Sequence, residues 1–341
     1  MTAATGTRRL VEVDALRGIA ALSVVLFHYT TRFNELFGEL PLPMLSFAHG
    51  HLGVNLFFII SGFVIFMTLE RTLRPMDFVI SRFSRLFPAY WFAILLTFLI
   101  THALGLPGKL VGVGTAVGNM LMFHGVFGMA HVDGVYWTLE VELLFYCGMF
   151  LLYRVQRLDL VNKVLLAMLL LRVGYFISER VFGVDLPWMI FRFLILRYIP
   201  WFAIGISIYQ LVSRGDTAGW APLVTIFCAL ATLLLVEPPV LALIAAALGA
   251  LVYLAASGRA PVLRIGPLVW LGSISYPLYL LHENIGWSMQ LRLRAYGLDP
   301  DQTVVVVVLF SLGLAWAVTA WIEQPAMRWI RQAYGRRRAL A

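Results

Sequence analysis

An all-α, polytopic transmembrane helical bundle of about ten spans is the fold this sequence predicts, on three observations. Of 341 residues, 61% are hydrophobic and 13% charged, whereas soluble domains carry about 25% charge; the mean hydropathy is +0.85. Apolar runs recur at lengths near the roughly 20 residues a helix needs to cross a bilayer. Basic residues gather between alternate runs rather than evenly. A soluble globule is thereby excluded, and a lipid bilayer is the expected surrounding.

Taken in order, the runs place spans at 12–31, 52–70, 86–106, 135–153, 164–182, 187–211, 220–236, 239–257, 266–285 and 302–323, followed by a basic tail at 324–341. The first run follows Arg8 and Arg9 as a signal peptide's would, but it holds Asp14, Arg17 and His28 and has no small-residue cleavage site, so it reads as a retained span. An even number of spans puts both termini on one side. With that side inside, 18 basic residues fall on inner segments and five on outer ones, and Arg172, Arg192 and Arg197 lie within spans. The positive-inside rule makes both termini cytoplasmic. The net charge of +8 therefore reports topology, and no nucleic-acid partner is expected.

The chain reads as a single membrane-embedded domain, 1–341, without internal repeats, which argues against an inverted-repeat transporter. Its longest outer segment, 107–133, is glycine-rich, carries His124, His131 and Asp133, and reads as a lid or re-entrant element. Cys147 and Cys228 lie in apolar segments away from any ligand spacing, so no disulfide framework or metal site is expected.

A charge at membrane depth costs on the order of 2.5–3.5 kcal/mol on insertion scales, so each one needs a partner, a cavity or a function. Arg17 and His28, 11 residues apart, share one helical face about 16 Å apart, with Asp14 within reach of Arg17. Arg82 and Arg85 in RFSR lie on one face just before span three, where Pro88 can begin the span. Two guanidiniums so placed suit bidentate capture of phosphate, or else anchor the span. In YWTLEVELLFY, Glu140 and Glu142 face about 200° apart, so one can serve chemistry and the other water. Arg197 lies deepest in its span and is the best candidate for a buried counter-charge. His282 ends the run SYPLYLLH near an outer interface.

In order along the chain stand VDALRGIAALSVVLFH (13–28), GHLGVNLFFIISGF (50–63), SRFSRLFPAYW (81–91), YWTLEVELLFY (136–146), ISYPLYLLH (274–282) and IEQP (322–325), with Arg328 following. This ordered set resembles the acyltransferase family 3 proteins, bacterial integral-membrane O-acyltransferases of sugars and polysaccharides. The resemblance implies an O-acetyltransferase of the bacterial inner membrane, of the stand-alone type, with acetyl-CoA or another acyl-CoA as donor, no metal, and a carbohydrate or glycoconjugate acceptor.

It implies catalytic roles for Arg17, His28 and Glu142 and donor binding by Arg82 and Arg85, while Asp14, Trp137, Arg197 and His282 read as supporting or substrate-binding residues. Thr138 and Asn55 stand where the family commonly has Ser and Asp. His28 is the expected general base, with a carboxylate such as Glu142 orienting or balancing it. Direct transfer is the simpler route; a relay through a hydroxyl such as Ser61 stays open. A competing class, a transporter or flippase with His28, Glu142 and Arg197 as a relay, accounts for the buried charges but not for RFSR.

Overall fold

The computed structural model describes residues 10–38 and 43–340. Arg8 and Arg9, counted above toward the inner charge, lie outside the described residues. Among the described residues there is no strand. The helices are α1 (Val11–Phe27), α2 (Phe33–Phe37), α3 (Gly53–Glu70), α4 (Pro75–Leu104), α5 (Val113–Asn119), α6 (Tyr136–Arg154), α7 (Val161–Phe182) and α8 (Trp188–Phe193). They continue with α9 (Ile199–Arg214), α10 (Ala221–Val236), α11 (Pro239–Ala256), α12 (Gly266–Leu281), α13 (Glu283–Ala295), α14 (Pro300–Val318) and α15 (Gln324–Leu340). π-Helical turns at His28–Arg32 and Thr319–Glu323 join α1 to α2 and α14 to α15.

Among the described residues, five helical stretches are long and apolar enough to cross a membrane: 48–70, 75–104, 158–182, 239–256 and 300–338. Large apolar side chains such as Leu170, Phe227, Leu243 and Trp321 point outward, as lipid-facing positions require. The chain is a membrane protein of the helical class.

Glycine sets the two tightest helix crossings. A Cβ at Gly18 of α1 would lie 2.5 Å from Gly272 N of α12, and one at Gly272 would strike Asp14 O. On α9, a Cβ at Gly205 would overlap Ile59 O of α3, and Gly62 of α3 abuts Phe202 O in return. Missing side chains let the backbones approach, the usual basis of helix association in lipid. Arg264, ahead of α12, closes on buried Glu12 of α1 through its Nε at 2.6 Å.

Three expected boundaries are corrected. The span expected at 86–106 belongs to a 30-residue helix that starts at Pro75, with Arg74 extended before it. Pro88 is therefore interior, and Arg82 and Arg85 lie within the helix rather than ahead of it. The segment 187–211 is not one helix: Ile195 adopts φ +48° between α8 and α9, a conformation that stops a helix of L-residues. The segment 266–285 breaks at His282, whose ring, not a continuing backbone, meets the carbonyls of Tyr279 (2.8 Å) and Leu278 (3.2 Å).

Candidate active site

His28 stands where α1 passes into a π-helical turn, an irregularity frequent at functional sites. Its carbonyl accepts from Phe33 N and from Trp287 Nε1, the latter at 2.9 Å, and the next residue, Tyr29, is buried with its hydroxyl donating to His282 O at 2.6 Å. His28 Nδ1 lies 2.9 Å from Val24 O and 3.1 Å from His282 Nε2. His282, wholly buried, has its own Nδ1 against carbonyls, which can only accept.

The proton positions follow from these contacts. His282 carries its proton on Nδ1, its Nε2 accepts from His28 Nδ1–H, and His28 Nε2 is left with its lone pair. That Nε2 lies 3.6 Å from Glu283 Oε2. It borders a cavity of about 600 Å³ whose wall includes Asn55, Lys109, Trp137, Arg197 and Glu283.

Glu283 was absent from the sequence-derived candidates and is the carboxylate at the histidine. Its carboxyl presses on Gly134, where a Cβ would collide with it. Beside it, Asp133 Oδ2 accepts from Asn284 N at 3.0 Å, and Asn284 Nδ2 donates to Val132 O at 2.8 Å. The tip of the outer segment is thus fastened to the start of α13.

That segment is docked rather than loose. Asn119 donates to Ala130 O (2.9 Å) and accepts from Val132 N (3.0 Å), while Tyr90 and Trp91 of α4 donate to the carbonyls of Asn119 and Met120. Within it, His124 Nε2 meets His131 Nδ1 at 2.6 Å. Burial first, then His131 and Arg192, push the His124 pKa down to about 4. Burial and Arg192 lower His131 as well.

A second cavity, of about 60 Å³, is lined by Arg17, Arg82, Arg85, Ser61, Glu142 and Tyr146 among others. Among the described residues, none of its three arginines forms an ion pair with a carboxylate, and Arg17 makes none with Asp14. Three cations against the single carboxylate of Glu142 leave this cavity with a net positive charge, which suits an anion. Arg331 of α15 adds to this end by donating to Ser84 at 3.2 Å, whereas Arg328 reaches only Gln324 O of its own helix.

Glu142 is placed here and not beside His28. Its Oε1 accepts from Ser61 at 2.7 Å and from the Tyr146 hydroxyl. Glu140, expected to face water, is buried and holds Arg192 at 2.8 Å. The two do point opposite ways, as 200° of helix rotation requires.

Arg197 is not a buried counter-charge. Its side chain is 62% exposed and 3.9 Å from Glu237, while Arg172 is the enclosed partner of that carboxylate at 3.2 Å. Its apparent depth came from reading 187–211 as unbroken. His282, expected at an interface, is interior because α13 extends the fold beyond it.

The two cavities have common walls at Val54, Phe58 and Tyr279. Tyr279 OH and Thr138 Oγ are 2.8 Å apart at this junction. Among the described residues, no group of three or more His, Cys, Asp or Glu side chains could hold a metal ion.

Within a membrane helical bundle, a histidine–carboxylate cavity thus shares walls with an arginine cavity. Residues 10–322 match the acyltransferase domain, and the chain belongs to that family of acyl-transferring enzymes. It is 29% identical to the exopolysaccharide production protein ExoZ of Rhizobium meliloti (strain 1021) over 307 residues, covering 83% of this chain and 91% of that protein.

Protein 2 in the picA locus of Rhizobium radiobacter is 36% identical over 107 residues, which cover 29% of this chain and about half (51%) of that relative. A putative acetyltransferase, ORF330, of Acidianus two-tailed virus is 27% identical over 216 residues, covering 62% of this chain and 60% of that protein. No solved structure matches.

Proposed function

We propose that this enzyme is an O-acetyltransferase of the bacterial inner membrane, carrying acetyl from cytoplasmic acetyl-CoA to a hydroxyl of a carbohydrate or glycoconjugate outside. Ten crossings with both termini cytoplasmic would place the arginine cavity inside and the histidine cavity outside. The observation that carries this reading is the meeting of the two cavities at Val54, Phe58 and Tyr279. The name of the ExoZ relative favours a polysaccharide acceptor.

On this reading Arg17, Arg82 and Arg85 hold the phosphates of the donor, and its thioester reaches the junction. The acceptor hydroxyl approaches from the other cavity. His28 Nε2 removes the hydroxyl proton as the oxygen bonds to the thioester carbon. With its oxygen accepting from Thr138, the Tyr279 hydroxyl donates to the developing oxyanion. The C–S bond then breaks, the coenzyme A sulfur leaves with the electron pair, and His28 returns the proton to it.

His282 fixes the tautomer, and Glu283 balances the imidazolium that forms. Ser61 is held by Glu142, so direct transfer needs no acyl-enzyme. A relay through His28, Glu142 and Arg197 would have to cross the junction, because Glu142 lines one cavity and the other two line the second.

The test is transfer of label from radiolabelled acetyl-CoA to envelope glycans in membranes with wild-type, His28→Ala or Arg82→Ala/Arg85→Ala protein at matched expression. Label that disappears in the histidine variant, and needs more donor in the arginine variant, supports the roles. Normal transfer by His28→Ala overturns the general base. Label absent from glycans with every acyl-CoA tried overturns the enzyme reading.

A further inference from the structure

Helix α15 has two faces of different chemistry. Met327, Ile330 and Tyr334 are half-buried, and the helix docks on the first turns of α4. Arg331 Nε donates to Ser84 at 3.2 Å, the Tyr334 hydroxyl donates to Asp77 at 2.9 Å, and Arg338 lies 3.8 Å from the same carboxylate. Away from these residues, Arg328, Trp329, Gln332 and Arg336 are exposed and fall within about 100° of one another on the helix. Arg337 is exposed as well. Among the described residues, Arg328, Arg336 and Arg337 meet no carboxylate.

The bilayer fixes where this face lies. At 19 residues, α14 is about 28 Å long and covers the hydrocarbon core by itself. Trp316 and Trp321, exposed with ring centres 5.8 Å apart, mark the edge where it emerges. Trp329 stands eight residues after Trp321. Run straight outward, α15 would carry it about 12 Å further, past a headgroup layer of about 5–7 Å on each side. Laid along the surface, α15 keeps exposed Trp329 at the interface and its free arginines among the headgroups.

We propose that this face of α15 binds the headgroups of anionic glycerophospholipids, and that lipid so bound holds α15 on α4 beside Arg82 and Arg85. Charge complementarity argues for an anionic partner, and a tryptophan among the cations argues for a lipid surface over an acidic polymer in water. Docking needs such help, because Arg82 and Arg85 both repel the charge of Arg331. Each arginine near an anionic surface contributes about fivefold to binding.

The full chain is reconstituted in nanodiscs of phosphatidylcholine alone, or of phosphatidylcholine and phosphatidylglycerol in equal parts, and amide exchange over 324–340 is followed. Phosphatidylglycerol should slow exchange at least about tenfold in wild type. It should do the same in Arg154→Gln/Arg157→Gln/Arg259→Gln, which removes three exposed charges elsewhere. Arg328→Gln/Arg336→Gln/Arg337→Gln should show no slowing, and neither should wild type at about 1 M salt, where the Debye length is about 3 Å.

Equal exchange in the two lipids, or slowing kept by the α15 variant, overturns the proposal. Slowing kept at high salt would show apolar insertion only and overturns headgroup binding. Equal slowing by inorganic phosphate over phosphatidylcholine would show a free-anion site and overturns the lipid surface. The hold on the donor end rests on the acyltransferase reading and is read separately. The KM for acetyl-CoA should fall at least about threefold with phosphatidylglycerol in wild type and stay level in the α15 variant. A KM indifferent to phosphatidylglycerol while α15 is protected overturns that coupling alone. Protection without transfer from any acyl-CoA supports the lipid face and overturns the enzyme reading.

Discussion

Replacing Glu283 by Gln keeps the shape of the side chain and removes the charge beside His28, which makes it the most direct probe of the catalytic geometry. The carboxylate lies 3.6 Å from Nε2. At an effective dielectric of about 20, a full imidazolium–carboxylate pair at that distance is worth about 4.6 kcal/mol. Desolvation of the buried carboxylate offsets part of this, and Asp133 on the same side contributes to the field at Glu283. About 2–3 kcal/mol of transition-state stabilisation should remain, a fall of about 30- to 150-fold in kcat.

The KM for acetyl-CoA should stay within about twofold, since Glu283 borders only the histidine cavity. The assay is acetyl transfer by detergent-purified Glu283→Gln with monodispersity confirmed. A kcat within threefold of wild type, in a preparation where His28→Ala is inactive, would refute Glu283 as the balancing charge.

Arg82→Ala/Arg85→Ala should raise the KM for acetyl-CoA at least tenfold with a smaller change in kcat, measured by initial rates across donor concentration. Gly205→Ala places a methyl against Ile59 O and should destabilise the α3–α9 crossing by about 1–3 kcal/mol, seen as a lower melting temperature in detergent. The outer segment should loosen on acidification. His124 is pushed down to about 4 in the fold against about 6.5 unfolded, so the unfolded form binds the extra proton and stability falls as pH drops through that window. Limited proteolysis of 107–133 between pH 7 and 4 would show it, and His124→Gln should flatten the dependence.

Local periodicity made some of this legible. Arg17 and His28 share a face because both lie on one continuous stretch of helix, and each lines its own cavity. The opposed directions of Glu140 and Glu142 follow from the same arithmetic. Glu283 was hidden because only tertiary folding brings α13 to the end of α1. The available signal was two adjacent ionisable residues, His282 and Glu283, closing an apolar run.

Span six misled for the opposite reason: Ile195 is a residue type that promises regular structure, and its positive φ is imposed by surroundings that no local pattern records. That one error moved Arg197 from a cavity wall to an imagined interior. Pro88 looked like a helix start because proline favours first turns, yet Pro75 takes that place.

On the proposed mechanism, orientation and charge balance of His28 are divided between two residues. His282 receives the His28 Nδ1 proton as a neutral imidazole, fixed by carbonyls on its far side, and adds no charge to the bundle core. Glu283, 3.6 Å from Nε2, would supply the charge on that side when the imidazolium forms. The division makes a specific demand on His282 variants. Gln can still present an oxygen to Nδ1–H and should keep kcat within about tenfold, while Leu leaves that donor with Val24 O alone and frees the ring to turn. His282→Leu should lose about 10²-fold in kcat, within the span of general-base catalysis, with the KM for acetyl-CoA unchanged. Equal kcat in the Gln and Leu variants would show that His282 acts by packing and not by orienting the base.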